Sequence, residues 1–292
     1  MIMIYSLENE KVKITISDYG AELHSIIGKK RGTGYLWNGD LKYWKYRAPH
    51  LFPIVGKLVD DKYKVNGKEY ELPAHGFARI SQFRVVSKSY DSITFELKYS
   101  DRTLLIYPFK FLFQVIYQLK ENKVNVIYKV INLDEKEIYF SLGAHPALMC
   151  PIEKTEKFED YYIRFNKHEN SYILCFDNEK YFVHDKKKFF MRNNIIKLRK
   201  ENFKNEALVF DDLVSDQIVL QSSKYSVRIE WENFPNLAIW SPANDAPFVC
   251  IEPWLGHADY ADFRGEFKDK EGVVSLPLSE EFECNYIISI DE

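Results

Sequence analysis

The sequence predicts an all-β fold, a large antiparallel β-sandwich, and three observations carry that expectation. Among 292 residues there are 20 Tyr, 21 Phe and 5 Trp, an aromatic share of 16 %, and aromatic side chains suit a pleated, half-buried surface. Apolar and polar residues alternate with period two in many short runs, the mark of a strand with one buried face. Convincing helical periodicity is scarce.

Taken in order, Val12, Ile14 and Ile16 alternate with polar partners, and so do Ile93, Phe95, Leu97 and Tyr99. The clearest run is Phe109, Phe111, Phe113, Val115, Tyr117 and Leu119. After the polar turn ENK, Val124, Val126, Tyr128 and Val130 continue the pattern. Two alternating runs joined by a short polar turn predict a hairpin. A second hairpin is predicted where Ile218 and Leu220 meet, across SSK, Tyr225, Val227, Ile229 and Trp231. Phe282, Cys284, Tyr286, Ile288 and Ile290 form a last strand. The stretch from about Glu153 to Lys204 is the least regular, with a basic run at 185–188, and is expected to hold long loops and short strands. No fixed-period repeat and no Pro/Gly/Ser linker divides the chain, so residues 1–292 are expected to form one domain of two packed sheets.

Composition narrows the function classes. Hydrophobic residues make up 46 % and charged residues 28 %, with a net charge of −3, which supports a sizeable core and gives no electrostatic case for nucleic acid. No stretch approaches the ~18 apolar residues that span a bilayer. The amino terminus, MIMIYSLENEK, has no secretory pattern. The four cysteines Cys150, Cys175, Cys250 and Cys284 form no C-x-x-C pair. A reducing cytoplasm is the expected compartment.

Three segments gather chemistry-bearing residues among turn formers: LPAHGFAR with His75 and Arg79, LGAHPALMCP with His145, and APFVCIEPWLGHADY with Glu252, Trp254, His257 and Asp259. One His beside Gly or Pro is most often a hydrogen-bonded corner. Glu252 is different. It follows the apolar run 248–251 and precedes Pro253, which predicts a strand end in partly buried surroundings. Glu is almost never buried without a partner or a function, and desolvation raises its pKa toward that of a useful general base. Dinucleotide, Walker and H-E-x-x-H motifs are absent, so no cofactor is expected. The spacing of His75, His145 and His257 does not favour a metal site.

Together FPIVGKL at 52–58, HGFAR at 75–79, GAHPAL at 143–148 and FVCIEPWLG at 248–256 resemble the aldose 1-epimerase (galactose mutarotase-like) superfamily, in its LacX-like branch. The resemblance implies a galactose mutarotase-like supersandwich with the sugar on its concave face. It implies that His145 is the general acid at the ring oxygen, that Glu252 is the general base at the anomeric hydroxyl, and that His75 positions the sugar. Lys57 falls where family members usually carry a substrate-contacting arginine, a change that is not conservative at a bidentate site. Arg79 is also assigned to substrate binding. A family aspartate that contacts sugar hydroxyls has its counterpart in NEALVFDD, among Asn205, Glu206 and Asp211, of which Asp211 is the carboxylate we assign.

The implied activity is interconversion of the α and β anomers of a free aldose. The partner is then a small sugar, with no nucleic acid or membrane, and the assembly a monomer or homodimer. A hexose-6-phosphate 1-epimerase, drawing on Arg79, Arg47 and Lys57 for phosphate, is the nearest rival. A non-catalytic sugar sensor on the same fold and a glycoside hydrolase pairing Glu252 with Asp259 are the others.

Overall fold

The computed structural model describes residues 2–291. Two antiparallel sheets dominate. The larger has nine strands in the order Ile195–Lys197, Tyr162–Phe165, Gln217–Gln221, Ser226–Glu232, Glu281–Asp291, Lys123–Asn132, Phe111–Lys120, Ser92–Lys98 and Arg84–Lys88. The second runs Leu208–Phe210, Asn236–Trp240, Phe248–Leu255, Leu142–Ala144 and His50–Leu51, with Ala147–Met149 also paired to Phe248–Leu255. A separate three-stranded sheet holds the amino-terminal run, including Val12–Ser17. The α-helix Asp101–Ile106 is short, and a capping box formed by Ser100 and Thr103 starts it.

Both predicted hairpins form. Lys120 pairs with Lys123, so the first turns on Glu121 and Asn122, with Glu121 in the left-handed region. The second pairs Gln221 with Ser226. The first hairpin's opening strand begins at Phe111 rather than Phe109, because Pro108 directly precedes Phe109 and lacks a ladder N–H. The irregular stretch resolves into short strands, including a two-stranded ribbon of Tyr172–Phe176 and Phe182–Lys188.

The alternation explains how the two large sheets pack. Along Phe111–Lys120 every second side chain is buried, and Phe113, Val115 and Tyr117 enter one core cluster with Tyr128 and Tyr286 from neighbouring strands. Val249, Ile251, Leu237 and Ile239 of the second sheet join the same cluster. Phe248, Cys250 and Trp254 pack into two other clusters on the opposite face. Period two therefore splits Phe248–Leu255 into core-facing odd positions and even positions facing away from that core. Glu252 is even. Its strand is buried on both faces, which corrects the expectation that Glu252 ends a strand in partly buried surroundings. It is the fifth of eight strand residues and is 1 % exposed.

A candidate active site on the outer face of the second sheet

Strand register brings His145 and Glu252 together. Leu142–Ala144 pairs with the end of Phe248–Leu255, Gly143 opposite Trp254, and Ala147–Met149 pairs with its start, Ala147 opposite Cys250. The two segments hold one common register, and His145, at the break between them, falls opposite Glu252. Opposite residues in an antiparallel pair share a face. His145 Nε2 lies 3.2 Å from Glu252 Oε2, both side chains being almost fully buried. The rings of Trp44 and Trp240 flank the imidazole, Trp44 at 4.8 Å between centroids and tilted by 31°.

His75 comes from the HGFAR segment and is locked by the FPIVGKL segment at 52–58. Phe77 and Ala78 donate their N–H groups to the Phe52 carbonyl, and His75 donates its own to Gly56. In return the Gly56 N–H donates to His75 Nδ1 at 3.2 Å. A nitrogen that accepts carries no proton, so neutral His75 has its proton on Nε2 and is a donor there. The residue sits at φ 65°, a conformation non-glycine residues hold only where surrounding structure enforces it. Gly76 at φ 67° is required as well, since a Cβ there would lie 2.3 Å from the Phe52 carbonyl oxygen. The His75 and His145 rings stand 5.7 Å apart.

A cleft of about 310 Å³ collects these groups, at the lower end of the ~300–1,000 Å³ range of small-molecule sites. His75, His145 and Glu252 all line it, as do Lys57 and Arg79. Arg79 donates to the Ala74 carbonyl at 2.7 Å and its guanidinium lies 5.0 Å over the Tyr46 ring, so it also braces the loop that carries His75. The Lys57 ammonium lies 4.4 Å over the Tyr181 ring.

Asp211, assigned to substrate binding from the sequence, is placed off this cleft. It is absent from the cleft wall, and its carboxylate pairs with Lys186 of the ribbon. Of its sequence neighbours, Glu206 lines the cleft and holds Lys180 at 2.6 Å, whereas Asn205 does not line it. Asp259 is also off the cleft. It is buried against Lys270 at 2.8 Å and accepts the Val59 N–H, so it is a structural ion pair beside the Lys57 loop. His257 bonds the Ala258 carbonyl, and neither it nor Arg47 reaches the cleft wall.

Trp44, Trp240, Phe176 and Phe182, none of them singled out by the sequence, form the aromatic wall with Trp254. Phe176 and Phe182 come from the ribbon inside the irregular stretch, where no periodicity marks them.

Electrostatics follow from burial. Desolvation pushes Glu252 well above and His145 well below their ordinary pKa values, His75 and Arg79 adding to the second effect. Burial, reinforced by Arg79, takes His75 down to about 3. Burial therefore disfavours the charged form of each member of the His145–Glu252 pair. His145 Nδ1 and Arg79 Nε are buried and without hydrogen-bond partners. Buried polar atoms are normally satisfied, so two at one cleft fit a surface that meets a polar ligand.

Among the described residues, one set has metal-ligand spacing: His145, Cys250 and Glu252, with donor atoms within 4.8 Å of one another. Burial raises the Cys250 thiol pKa well above its usual range, which keeps it protonated and a poor ligand. A metal there would also occupy both members of the buried pair.

Residues 3–275 match the family described as aldose 1-epimerase. The chain is 32 % identical over 287 residues to the chromosomal protein LacX of Lactococcus lactis subsp. lactis, covering 94 % of this chain and 96 % of that protein, and equally so to its plasmid-encoded counterpart. Among solved structures, a galactose mutarotase related enzyme from Lactobacillus acidophilus superposes with a TM-score of 0.95 at 32 % identity, covering 99 % of this chain and 98 % of that one. A galactose mutarotase-like protein from Lactobacillus casei gives 0.94 at 28 % identity, covering 99 % and 100 %.

Proposed function

We propose, starting from the fact that the chain belongs to the aldose 1-epimerase family, that it interconverts the α and β anomers of a free aldose. The observation that carries this reading is the buried His145–Glu252 pair at 3.2 Å on the floor of an aromatic-walled cleft. Anomer exchange opens a hemiacetal: a proton goes to the ring oxygen while another leaves the anomeric hydroxyl, and the ring then recloses on the other face of the carbonyl. Proton transfer alone balances the reaction.

In this reading Glu252, as carboxylate, takes the anomeric proton and His145, as imidazolium, gives one to the ring oxygen. Ring opening moves the pair's proton from His145 to Glu252, and reclosure moves it back. The charged and uncharged forms differ only in where one proton sits, so bound hydroxyls that hydrogen-bond the carboxylate bring the reactive form within reach. Each positioned acid or base is worth ~10²–10⁴ in rate. His75, a donor at Nε2, orients the ring, and the tryptophans cover apolar C–H faces.

Three cations line the cleft, but Lys180 is paired with Glu206 and Arg79 is engaged with the Ala74 carbonyl. A phosphate site wants several cations free to converge, so the lining supports an unphosphorylated sugar. Asp259, the carboxylate named for the glycosidase reading, is engaged by Lys270 off the cleft wall, which weighs against that reading. All four cysteines are unpaired, which supports a reducing, cytoplasmic setting. The test is a polarimetric panel of freshly dissolved single anomers of free and 6-phosphorylated aldoses. Faster equilibration of free sugars supports the proposal, and acceleration confined to phosphorylated sugars replaces it.

A further inference from the structure

His145 and Glu252 are placed by strand register, but other groups of the cleft wall come from outside the sheet. Lys57 lies in the loop after His50–Leu51, and Phe182 opens the second strand of the ribbon. Both line the cleft, and one residue ties both to the end of the Glu252 strand. Asp259 lies shortly beyond Phe248–Leu255. Its N–H donates to the Lys57 carbonyl at 2.9 Å, and its carbonyl accepts the Phe182 N–H at 3.0 Å. Its carboxylate accepts the Val59 N–H at 2.9 Å, so Asp259 grips the Lys57 loop on both sides of Leu58. Ala258 backs the same loop: Gly56 sits at φ 74°, and a Cβ there would lie 2.6 Å from that of Ala258. Gly56 in turn donates to His75 Nδ1.

The carboxylate is held in a way that folding alone does not explain. Asp259 and Lys270 meet at 2.8 Å with side chains 3 % and 2 % exposed. Taking two ions out of water often costs more than their attraction returns, and an apolar pair of similar size serves a core as well. What an apolar pair lacks is an acceptor for the Val59 N–H. We propose that Asp259 is a positioning residue of the sugar site, fixing Lys57 and Phe182 relative to His145 and Glu252 while Lys270 holds its carboxylate in place. Asp259 is off the cleft wall and touches neither sugar nor reacting protons, so its effect falls on sugar affinity rather than on proton transfer. This rests on the cleft being the sugar site, and only the kinetic readout rests on the mutarotase reading.

Two double variants separate the hydrogen bond from the ion pair, which both of them remove. Asp259→Asn with Lys270→Met keeps an oxygen for the Val59 N–H. Asp259→Leu with Lys270→Met fills similar space without one, and Asp259→Ala with Lys270→Met serves if that protein does not fold. Anomer exchange of glucose and galactose is followed by NMR over a range of concentrations, and dissociation constants come from ligand-observed NMR titrations. The Asp259→Leu pair is expected to raise KM and the dissociation constant about tenfold, the scale of one hydrogen bond to a charged group, with kcat within about threefold. The Asp259→Asn pair is expected to stay within about twofold of the parent in all three. Lost stability by itself lowers the amount of folded enzyme and leaves KM unchanged, so a purely structural Asp259 predicts no such split. A dissociation constant that rises with Asp259→Leu and not with Asp259→Asn, in a protein that exchanges no aldose, keeps the positioning role and ends the mutarotase reading. Exchange in the parent with equal KM in the two variants, or a fall in kcat at unchanged KM, overturns the positioning role. A parent that neither binds nor exchanges any aldose overturns both.

Discussion

Replacing Glu252 by Gln should make the protein inactive and more stable at once. The amide keeps the carboxylate's shape in a strand buried on both faces, so packing is preserved, but it takes no proton from an anomeric hydroxyl. Catalysed exchange should fall by about 100-fold or more, the loss of one positioned base. The stability effect has a definite sign. Burial raises the folded pKa of Glu252 above the ordinary 4.5. The stabilisation of the folded state relative to an ionised chain is therefore complete below pH 4.5 and is lost as pH rises toward the folded pKa. Each unit of that elevation is worth about 1.4 kcal/mol. For a chain of 292 residues the entropy of unfolding is about 0.6 kcal/mol per degree, so each unit amounts to roughly 2 °C. Glu252→Gln, which has no such loss, should melt higher than the parent at pH 7.5 and at the same temperature near pH 4.5. The assays are single-anomer NMR exchange and thermal melts at the two pH values. A variant that melts lower at pH 7.5 would show that the pair is held as His145⁺–Glu252⁻. Undiminished exchange in a folded variant would remove Glu252 as the base.

Three further outcomes are expected. Lys57→Met should raise KM about tenfold with kcat nearly unchanged, because the ammonium reaches the cleft but not the acid–base pair; an unchanged KM for every active sugar contradicts this. Gly76→Ala places a Cβ 2.3 Å from the Phe52 carbonyl oxygen and should destabilise the fold by at least about 1–2 kcal/mol while lowering kcat through displaced His75, and a fully active, equally stable variant would be inconsistent with the interlock. His50 is buried among Tyr117, Tyr128 and the Ala21 carbonyl, with its pKa lowered to about 4 chiefly by desolvation. As pH falls from 6.5 to about 4 the unfolded chain takes up a proton that the folded one refuses, which costs about 3 kcal/mol, or some 5 °C in melting temperature. A melting temperature that is flat across that window refutes this.

The strands with one solvent-facing side were legible because alternation survives in them, as in Phe111–Lys120 and Lys123–Asn132. Phe248–Leu255 gave no alternation, being buried on both faces, and so Glu252 read as a strand end. The motif residues His75, His145 and Glu252 could be picked out in sequence, but their meeting depends on the shared register of two segments along one strand, which no local pattern encodes. Trp44, Trp240 and the ribbon's Phe176 and Phe182 were invisible for a related reason: each looks like any core aromatic until the ribbon folds over the cleft. Asp211 and Glu206 lie five residues apart in one segment, and only the fold shows which of them lines the cleft. Asp211 pairs with Lys186 off the cleft wall.

The central claim is that the buried His145–Glu252 pair moves protons on and off a free sugar. Two-dimensional exchange NMR on an equilibrated glucose or galactose solution tests it most directly, since cross-peaks between the α and β anomeric protons report turnover with no net reaction. Cross-peak intensities that grow in proportion to the parent protein, and that vanish to the spontaneous level with Glu252→Gln at equal concentration, are the predicted result. Intensities that stay at the spontaneous level for every aldose tested, in a folded protein that nonetheless binds sugar by ligand-observed NMR, would contradict the claim and leave a sugar-binding sensor.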